Sequence, residues 1–346
     1  MKKAIFPIAL LAIAAIAFIA SCKKSHNATV TAGTPSLNQL FAGLRSTPQN
    51  FSVTAGRDTV VYGSKGTKLH FYANSFQNAA GAIITSGTVY LSLIEMYKPG
   101  DMIANRATTM ANGQILQSGG QITMTATMNG QPVYANKYGI GFQHSNQSYA
   151  PMSLFYGSTG NADSTTTWTQ GDTTKQGNIA DGTITDTAGV GGTFTATSYF
   201  YFDTCTSFTW ANCDWFYAND SPQTTVSAIL PDTSFNAANT QLYLVLPNVN
   251  RWGVTADTFT AVLSTAEPYL GSGSYNAATK TMKLISEGQT NIVPAGLNYK
   301  LVVIANKNGQ FYYYEQSGII PHNGLVATVA LATDTQGDII ARLQGL

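Results

Sequence analysis

The chain has 346 residues, of which 44% are hydrophobic and only 10% are charged, and its formal net charge is +1. This length suggests about two domains, and the apolar content is too high for a disordered chain. Because the charges are few and nearly balanced, no basic stripe is expected for binding phosphates, and nucleic acid is excluded as an expected partner. A low charge with abundant Thr, Ser, Asn, Gln and Gly is typical of exported β-proteins.

Segment 1–21 has the pattern of an export signal. Two lysines precede an uncharged run over 4–20, and two small residues stand before Cys22. The segment Ile19–Cys22 resembles the lipobox of bacterial lipoproteins, which implies cleavage after Ser21 and a diacylglycerol on the Cys22 sulfur. The alternative is an uncleaved transmembrane anchor, but the uncharged run is at the short edge of a span.

Segment 22–50 is predicted to contain the lipidated cysteine, a polar tether and a short helix. Two acyl chains on one cysteine give stable anchoring, whereas one chain is marginal. Residues 23–36 offer little to bury and predict a flexible tether. A helix is indicated by Ser36 as N-cap and by apolar residues at helical spacing, namely Leu37, Leu40, Phe41 and Leu44.

The residues after Cys22 bear on the expected location. Lys23 and Lys24 resemble the corresponding positions in lipoproteins of the Bacteroidetes. Surface-exported members of that phylum often carry an acidic run there, and this chain has none. The resemblance therefore implies an outer-membrane lipoprotein, with the periplasmic face favoured over the cell surface.

The pattern beyond residue 50 predicts an all-β fold with two sandwich-like domains. Segment 51–156 alternates with period two and is predicted to be the first β-sandwich-like domain; its hairpin turn is Asn129-Gly130. The Gly-, Thr- and Asp-rich segment 157–196 is interpreted as a linker or insertion. Segment 197–346 is predicted to be a second, immunoglobulin-like sandwich with a hairpin at Asn308-Gly309 and a short C-terminal helix.

Two stretches carry a family resemblance. The first extends from Gly63 to about Gly130, and includes Gly66-Thr67, Ala73-Asn74-Ser75-Phe76, Gly81, Val89–Glu95, Asp101-Met102, Thr108-Thr109 and Leu116–Gly120. The second is Thr209–Phe216, which is similar to a Gly-Trp-x-Asn-Cys-Asp-Arg-Phe segment, with Thr209 in place of Gly and Trp215 in place of Arg. They resemble a module of Bacteroidetes outer-membrane lipoproteins of unknown function and, more distantly, the ZU5-like β-sandwich class. This resemblance implies a fold and a location but no chemistry.

The cysteines suggest a disulfide. With Cys22 assigned to lipid, Cys205 and Cys213 are an even number in an oxidising compartment, so a bond between them is predicted. The alternative is two buried thiols. A zinc site is not expected, because no His or second Cys pair lies near them in sequence.

No catalytic constellation is evident, and no catalytic residue, metal or cofactor is predicted. The four His residues lack metal-ligand spacing, and His70 is interpreted as a solvent-facing strand residue. Glu95 is the best single acid, yet one carboxylate makes no acid/base pair. The acidic residues of the polar insertion leave calcium binding open: Asp163, Asp172, Asp181 and Asp186. The three-residue segments that begin at Asp58, Asp163, Asp172 and Asp186 resemble the short O-glycosylation acceptor of the Bacteroidetes, which leaves glycan attachment open.

Aromatic side chains beside the cysteines give the remaining candidate. They are Trp210, Trp215, Phe216 and Tyr217. If exposed they would form a sugar- or protein-binding platform, and if buried they would be core. The expected function is a lipid-anchored cell-envelope protein with a non-enzymatic binding or structural role and an envelope protein or glycan as partner. The alternatives are an exported glycan or peptide hydrolase and a surface adhesin.

Overall fold

A computed structural model describes residues 36–112, 114–144, 152–158, 166–171, 178–185, 195–217, 221–247, 261–264, 275–284 and 292–346. The model is 54% strand and 10% helical, which confirms the all-β prediction. The helices are α1 (Leu37–Leu44), α2 (Pro99–Ala104) and α3 (Gln336–Gln344).

The first fifteen strands, in chain order, are β1 (Gln49–Thr54), β2 (Thr59–Tyr62), β3 (Lys68–Phe71), β4 (Phe76–Gln77), β5 (Thr88–Met96), β6 (Met110–Ala111), β7 (Gln114–Met128), β8 (Gln131–Pro132), β9 (Tyr134–Ala135), β10 (Tyr138–His144), β11 (Ser153–Ser158), β12 (Thr167–Gln170), β13 (Asn178–Thr185), β14 (Thr195–Cys205) and β15 (Trp210–Phe216). The remaining strands are β16 (Gln223–Thr224), β17 (Val226–Ile229), β18 (Thr240–Leu246), β19 (Ala261–Ser264), β20 (Tyr275–Asn276), β21 (Thr281–Lys283), β22 (Val293–Pro294), β23 (Asn298–Lys307), β24 (Gln310–Ile319), β25 (Leu325–Thr328) and β26 (Ala332–Asp334).

Four sheets form two sandwiches. Sheet A has the order β1-β5-β7-β15-β11-β12, and sheet B has the order β13-β14-β10-β3-β2. Sheet C is β20-β21-β17-β25, and sheet D is β19-β18-β23-β24-β26. Neighbouring strands are antiparallel except for β17 and β25, which are parallel. The pairs β4–β9 and β16–β22 stand apart.

The two Asn-Gly turns lie where the sequence predicts them. Asn129 and Gly130 have φ of 51° and 74°, and they connect β7 to β8. Asn308 and Gly309 have φ of 53° and 82°, and they connect β23 to β24. Two successive positive φ values are those of a type I′ turn, whose twist matches that of the strands.

The predicted domain limits differ from the sheets in the structure. Strands β14 and β15, within 195–216, pair with β10 and β7 and so belong to the first sandwich. The segment 157–196 contains β12 and β13 and part of β11, and is therefore more than a linker. The predicted boundary at 197 therefore falls within β14 and separates β14 and β15 from the strands with which they pair.

Three apolar cores are buried. Sheets A and B enclose the first core with side chains such as Leu91 and Phe71, and sheets C and D enclose the second with side chains such as Val226 and Leu301. The central core lies between the second faces of sheets A and D and includes all three helices. The sequence predicts two separate sandwich-like domains, whereas this core is shared between sheets A and D.

The helices close the central core by tight contacts. Helix α1 begins with a capping box in which Ser36 and Gln39 exchange hydrogen bonds, as its N-cap position predicts. A Cβ on Gly43 would lie 2.0 Å from the Gln336 side chain, and one on Gly100 would lie 1.8 Å from the Leu343 carbonyl oxygen. Helix α3, the predicted C-terminal helix, therefore packs closely on both α1 and α2.

Candidate binding face

The outer face of sheet B carries a cluster of aromatic and charged side chains, which we call the tyrosine face: Asp58, Lys68, His70, Tyr72, Lys137, Tyr201 and Asp203. Alternation in β3 produces it, because Leu69 and Phe71 are fully buried while Lys68 and His70 point the other way. In β14, Phe200 and Phe202 face the core in the same manner. The tyrosine face therefore lies directly opposite the first core.

A chain of hydrogen bonds crosses the tyrosine face. The Nε2 atom of His70 lies 2.7 Å from Asp58 Oδ1, and its Nδ1 atom lies 3.2 Å from the Tyr201 hydroxyl. The hydroxyls of Tyr201 and Tyr72 are 3.5 Å apart, and Tyr72 donates to the Asp203 carbonyl oxygen at 3.3 Å. The carboxylate thus orients the imidazole, and the imidazole orients the phenol.

Two glycines make room for the rings. A Cβ on Gly139 would lie 2.1 Å from the Tyr201 hydroxyl and 3.2 Å from the Tyr72 hydroxyl. A Cβ on Gly141 would lie 3.0 Å from the ring of Tyr199 and 3.4 Å from that of Tyr201. Strand β10 is therefore bare in the middle of the sheet, and the tyrosines of its neighbours lean across it.

Two lysines lie over these rings. The Lys68 ammonium is 5.5 Å from the centroid of the Tyr201 ring, and the Lys137 ammonium is 5.4 Å from that of Tyr72. The rings of His70 and Tyr72 are in contact, with centroids 4.4 Å apart. The tyrosine face therefore combines half-buried rings with two ammonium groups and with hydrogen-bond donors and acceptors.

The Asp58–His70–Tyr201 order resembles a catalytic relay, yet the phenol is not activated. Burial raises the pKa of Tyr201, and the contacts with Tyr72 and Asp203 raise it further. Burial and Tyr62 likewise raise the pKa of Tyr199 to about 12. A nucleophile needs a lowered pKa or an ionised form, whereas burial keeps both of these phenols protonated. The arrangement favours binding over covalent chemistry.

Glu95, the best acid by sequence, has a different position. It is 1% exposed; its Oε1 accepts from the Thr67 amide at 2.9 Å, and its Oε2 accepts from the Lys65 amide at 2.9 Å. The Gln49 side chain also donates to Oε2, at 2.7 Å. Glu95 therefore holds the 63–67 turn, and both of its oxygens are engaged.

A second polar cluster lies inside the protein, where β7 pairs with β15. Asp214 is fully buried, and it accepts from the Asn212 amide, while Ser118 donates to Asn212 at 3.1 Å. Gln121 and Trp168 both donate to the Thr108 carbonyl oxygen, at 3.1 and 2.5 Å. The two stretches that carry the family resemblance thus meet side by side at the register Asn212↔Gln121.

Burial raises the pKa of Asp214 well above its ordinary value, against the hydrogen bonds from Ser118 and Asn212. The folded state therefore keeps this proton at pH values where the unfolded chain has lost it, so its contribution to stability is present at low pH and is lost as pH rises. As the pH is raised from about 4 to about 8, we expect the free energy of unfolding to fall less for Asp214→Asn than for the wild type. Urea denaturation across this range measures the difference, with the exposed-site variant Asp203→Asn as control; equal slopes for wild type and Asp214→Asn would contradict it.

The predicted disulfide is wrong. Cys205 ends β14 in sheet B and Cys213 lies in β15 in sheet A, and the two side chains are buried too far apart to bond. Facing sheets are separated by about 10 Å, which exceeds the Cα separation that a disulfide allows. The alternative of two buried thiols is the one the structure shows, and burial raises the pKa of the Cys213 thiol.

This arrangement has a chemical readout. In a Cys22→Ser variant, neither thiol should react with an aromatic disulfide reagent in the native protein, because only an accessible thiolate attacks it. Both should react in denaturant, with or without prior reduction. If the thiols reacted in denaturant only after reduction, the disulfide between Cys205 and Cys213 would be present after all.

The aromatic residues beside the cysteines do not form one exposed platform. Trp210 is half-buried and packs edge-on to Trp168, with ring centroids 6.2 Å apart. Phe216 is half-buried against Phe155 at 5.4 Å, and Tyr217 packs on the second core. Trp215 lies in β15, and its side chain is outside the described part of the structure. These contacts favour the core interpretation.

Several candidate site residues from the sequence lie outside the described residues, namely Cys22, Asp163, Asp172 and Asp186. Only the backbone of Asp181 is described. None of the three described helices is long and apolar enough to cross a membrane. Within the described ranges, no three His, Cys, Asp or Glu side chains form a group that could hold a metal ion.

No protein-family model, curated protein sequence or solved structure matches this chain.

Proposed function

We propose that this chain is a non-enzymatic, saccharide-binding protein of the cell envelope, held at the outer membrane by lipid on Cys22. The observation that supports binding is the tyrosine face, where rings, a carboxylate, an imidazole and two ammonium groups share one side of a sheet. Ring surfaces pack on the C–H faces of sugars, and the polar groups pair with their hydroxyls. The lipobox and the polar tether support the anchoring.

The hydrolase alternative is less well supported by the described glutamates. Both oxygens of Glu95 are bound inside the fold. Glu315 accepts from the Tyr313 hydroxyl at 2.7 Å and pairs with Lys300 at 3.2 Å. A glycosidase needs one carboxyl group to donate a proton and a second to act as base or nucleophile, and neither glutamate is placed for such a role.

Gly139→Ala tests the tyrosine face without cutting into the core. The added methyl group must displace the Tyr201 hydroxyl, which breaks its contact with His70, whereas alanine itself is favoured over glycine in a strand by about 0.5–1 kcal/mol. We expect saccharide affinity to fall at least about tenfold, a loss of roughly 1.4 kcal/mol, with little change in stability.

Electrophoresis through gels that contain polysaccharides measures this loss as retardation. The matched control is Gly337→Ala in α3, where a Cβ would meet only the Thr335 hydroxyl at 3.8 Å. Retardation of wild type and Gly337→Ala, but not of Gly139→Ala, supports the proposal. No retardation by any polysaccharide contradicts it, and release of sugar products would establish the hydrolase instead.

A further inference from the structure

We infer that the saccharide bound by the tyrosine face is acidic, and that Lys68 and Lys137 hold its carboxylate. This inference rests on the proposed function. It names the ligand class, which the presence of rings alone leaves open.

The first argument is the pairing of lysines in the described part of the chain. Three other lysines reach a carboxylate: Lys65 meets Asp101 at 2.6 Å, Lys300 meets Glu315 at 3.2 Å, and Lys307 meets Asp232 at 3.9 Å. Lys68 and Lys137 contact ring faces and pair with no carboxylate among the described residues. Their ammonium groups therefore retain donors for an anion from outside.

The second argument is their placement. Each ammonium group lies over a different tyrosine, and the hydroxyls of those two tyrosines are only 3.5 Å apart. The two positive charges therefore flank a pair of adjacent phenol hydroxyls. A carboxylate attached to a sugar ring can meet an ammonium group while the ring packs on the adjacent tyrosine.

The third argument is the balance of charge. The Asp58 carboxylate lies 2.7 Å from Nε2 of His70. The second ring nitrogen, Nδ1, faces the Tyr201 hydroxyl. Asp203 is the second carboxylate of the face, and its negative charge raises the pKa of Tyr201. The two carboxylates of the face match its two ammonium groups in number, but Asp58 is turned to His70 and neither carboxylate pairs with Lys68 or Lys137, so both ammonium groups can meet a carboxylate of the ligand.

The test compares acidic oligosaccharides with matched neutral ones. Oligomers of galacturonate and of mannuronate are each titrated calorimetrically into the full chain, beside their methyl esters, which keep the sugar ring and lose the charge. We expect the acids to bind at least about tenfold more tightly than the esters, and this preference to shrink as salt is raised, because exposed charges are screened.

Two variants locate the charge. Lys68→Gln and Lys137→Gln should each lower affinity for the acids by about tenfold and leave affinity for the esters nearly unchanged. Lys283→Gln, which changes an exposed lysine of β21 in the second sandwich, should behave as wild type. Thermal unfolding of all three variants confirms that they are folded.

The outcomes separate the two proposals. Equal binding of acids and esters overturns the acidic ligand and leaves saccharide binding standing. A preference for acids that survives both lysine substitutions overturns the assignment to Lys68 and Lys137. If the chain binds neither the acids nor the esters, and no polysaccharide retards it in the gel assay, the proposed function itself is wrong.

Discussion

Replacing Glu95 with alanine is expected to lower the free energy of unfolding by about 3–5 kcal/mol, because three hydrogen bonds lose their acceptor at once. The substitution strips the Lys65 and Thr67 amides and the Gln49 side chain of their acceptor; the bond from Thr67 is buried and the other two are partly buried. Each buried donor left without a partner costs about 1–3 kcal/mol. Equilibrium denaturation in urea measures the loss.

Two variants calibrate this result. Glu95→Gln keeps the size of the side chain but turns one acceptor into a donor facing a donor, so its cost should be intermediate. Glu315→Ala removes a carboxylate whose side chain is 33% exposed, and should cost less than about 1 kcal/mol. If Glu95→Ala matched Glu315→Ala, the structural role assigned to Glu95 would be wrong.

Replacing Phe71 with alanine should cost a similar amount, about 3–5 kcal/mol, because it opens a cavity in the first core. Phe71 is 0% exposed and packs on Phe76 at 5.1 Å, on Tyr138 at 5.9 Å and on Phe208 at 6.2 Å between ring centroids. The same strand carries His70 on its other side. The variant should therefore also bind saccharide more weakly at temperatures where it remains folded.

Val60→Ala is the matched control for Phe71→Ala, since Val60 lies on the adjacent strand β2 and is 39% exposed. Its effect should stay within about 0.5 kcal/mol. Thermal and urea unfolding give the stability, and gel retardation gives the binding. A Phe71→Ala protein as stable as Val60→Ala would mean that the aromatic cluster contributes little.

Local features of the fold could be predicted because they depend on neighbours in sequence. The N-cap of α1 needs only Ser36 and the helical spacing after it, and both Asn-Gly turns need only the positive φ that those residues accept. Period-two alternation predicts opposite faces for neighbouring strand residues, and Leu69 and Phe71 are buried on the side of β3 opposite to His70.

The partition of strands and the binding face could not be predicted in this way. Sheet B places β14 beside β10 and β10 beside β3, so residues such as Asp58 and Tyr201 meet only through the topology. Periodicity predicts which face a residue takes but not which strand lies next to it. The disulfide prediction failed for the same reason. Cys205 and Cys213 are close in sequence, but the topology places them in two facing sheets.

The central core has a consequence for the order of folding. Its helices come from opposite parts of the described chain, with α1 at Leu37–Leu44 and α3 at Gln336–Gln344. The residues of α1 are synthesised long before those of α3, so the central core between the second faces of sheets A and D cannot close until α3 has been made. Contacts so distant in sequence form slowly. Until α3 docks, the apolar side chains of this core lack part of their cover, and exposed apolar surface makes a folding intermediate prone to aggregation.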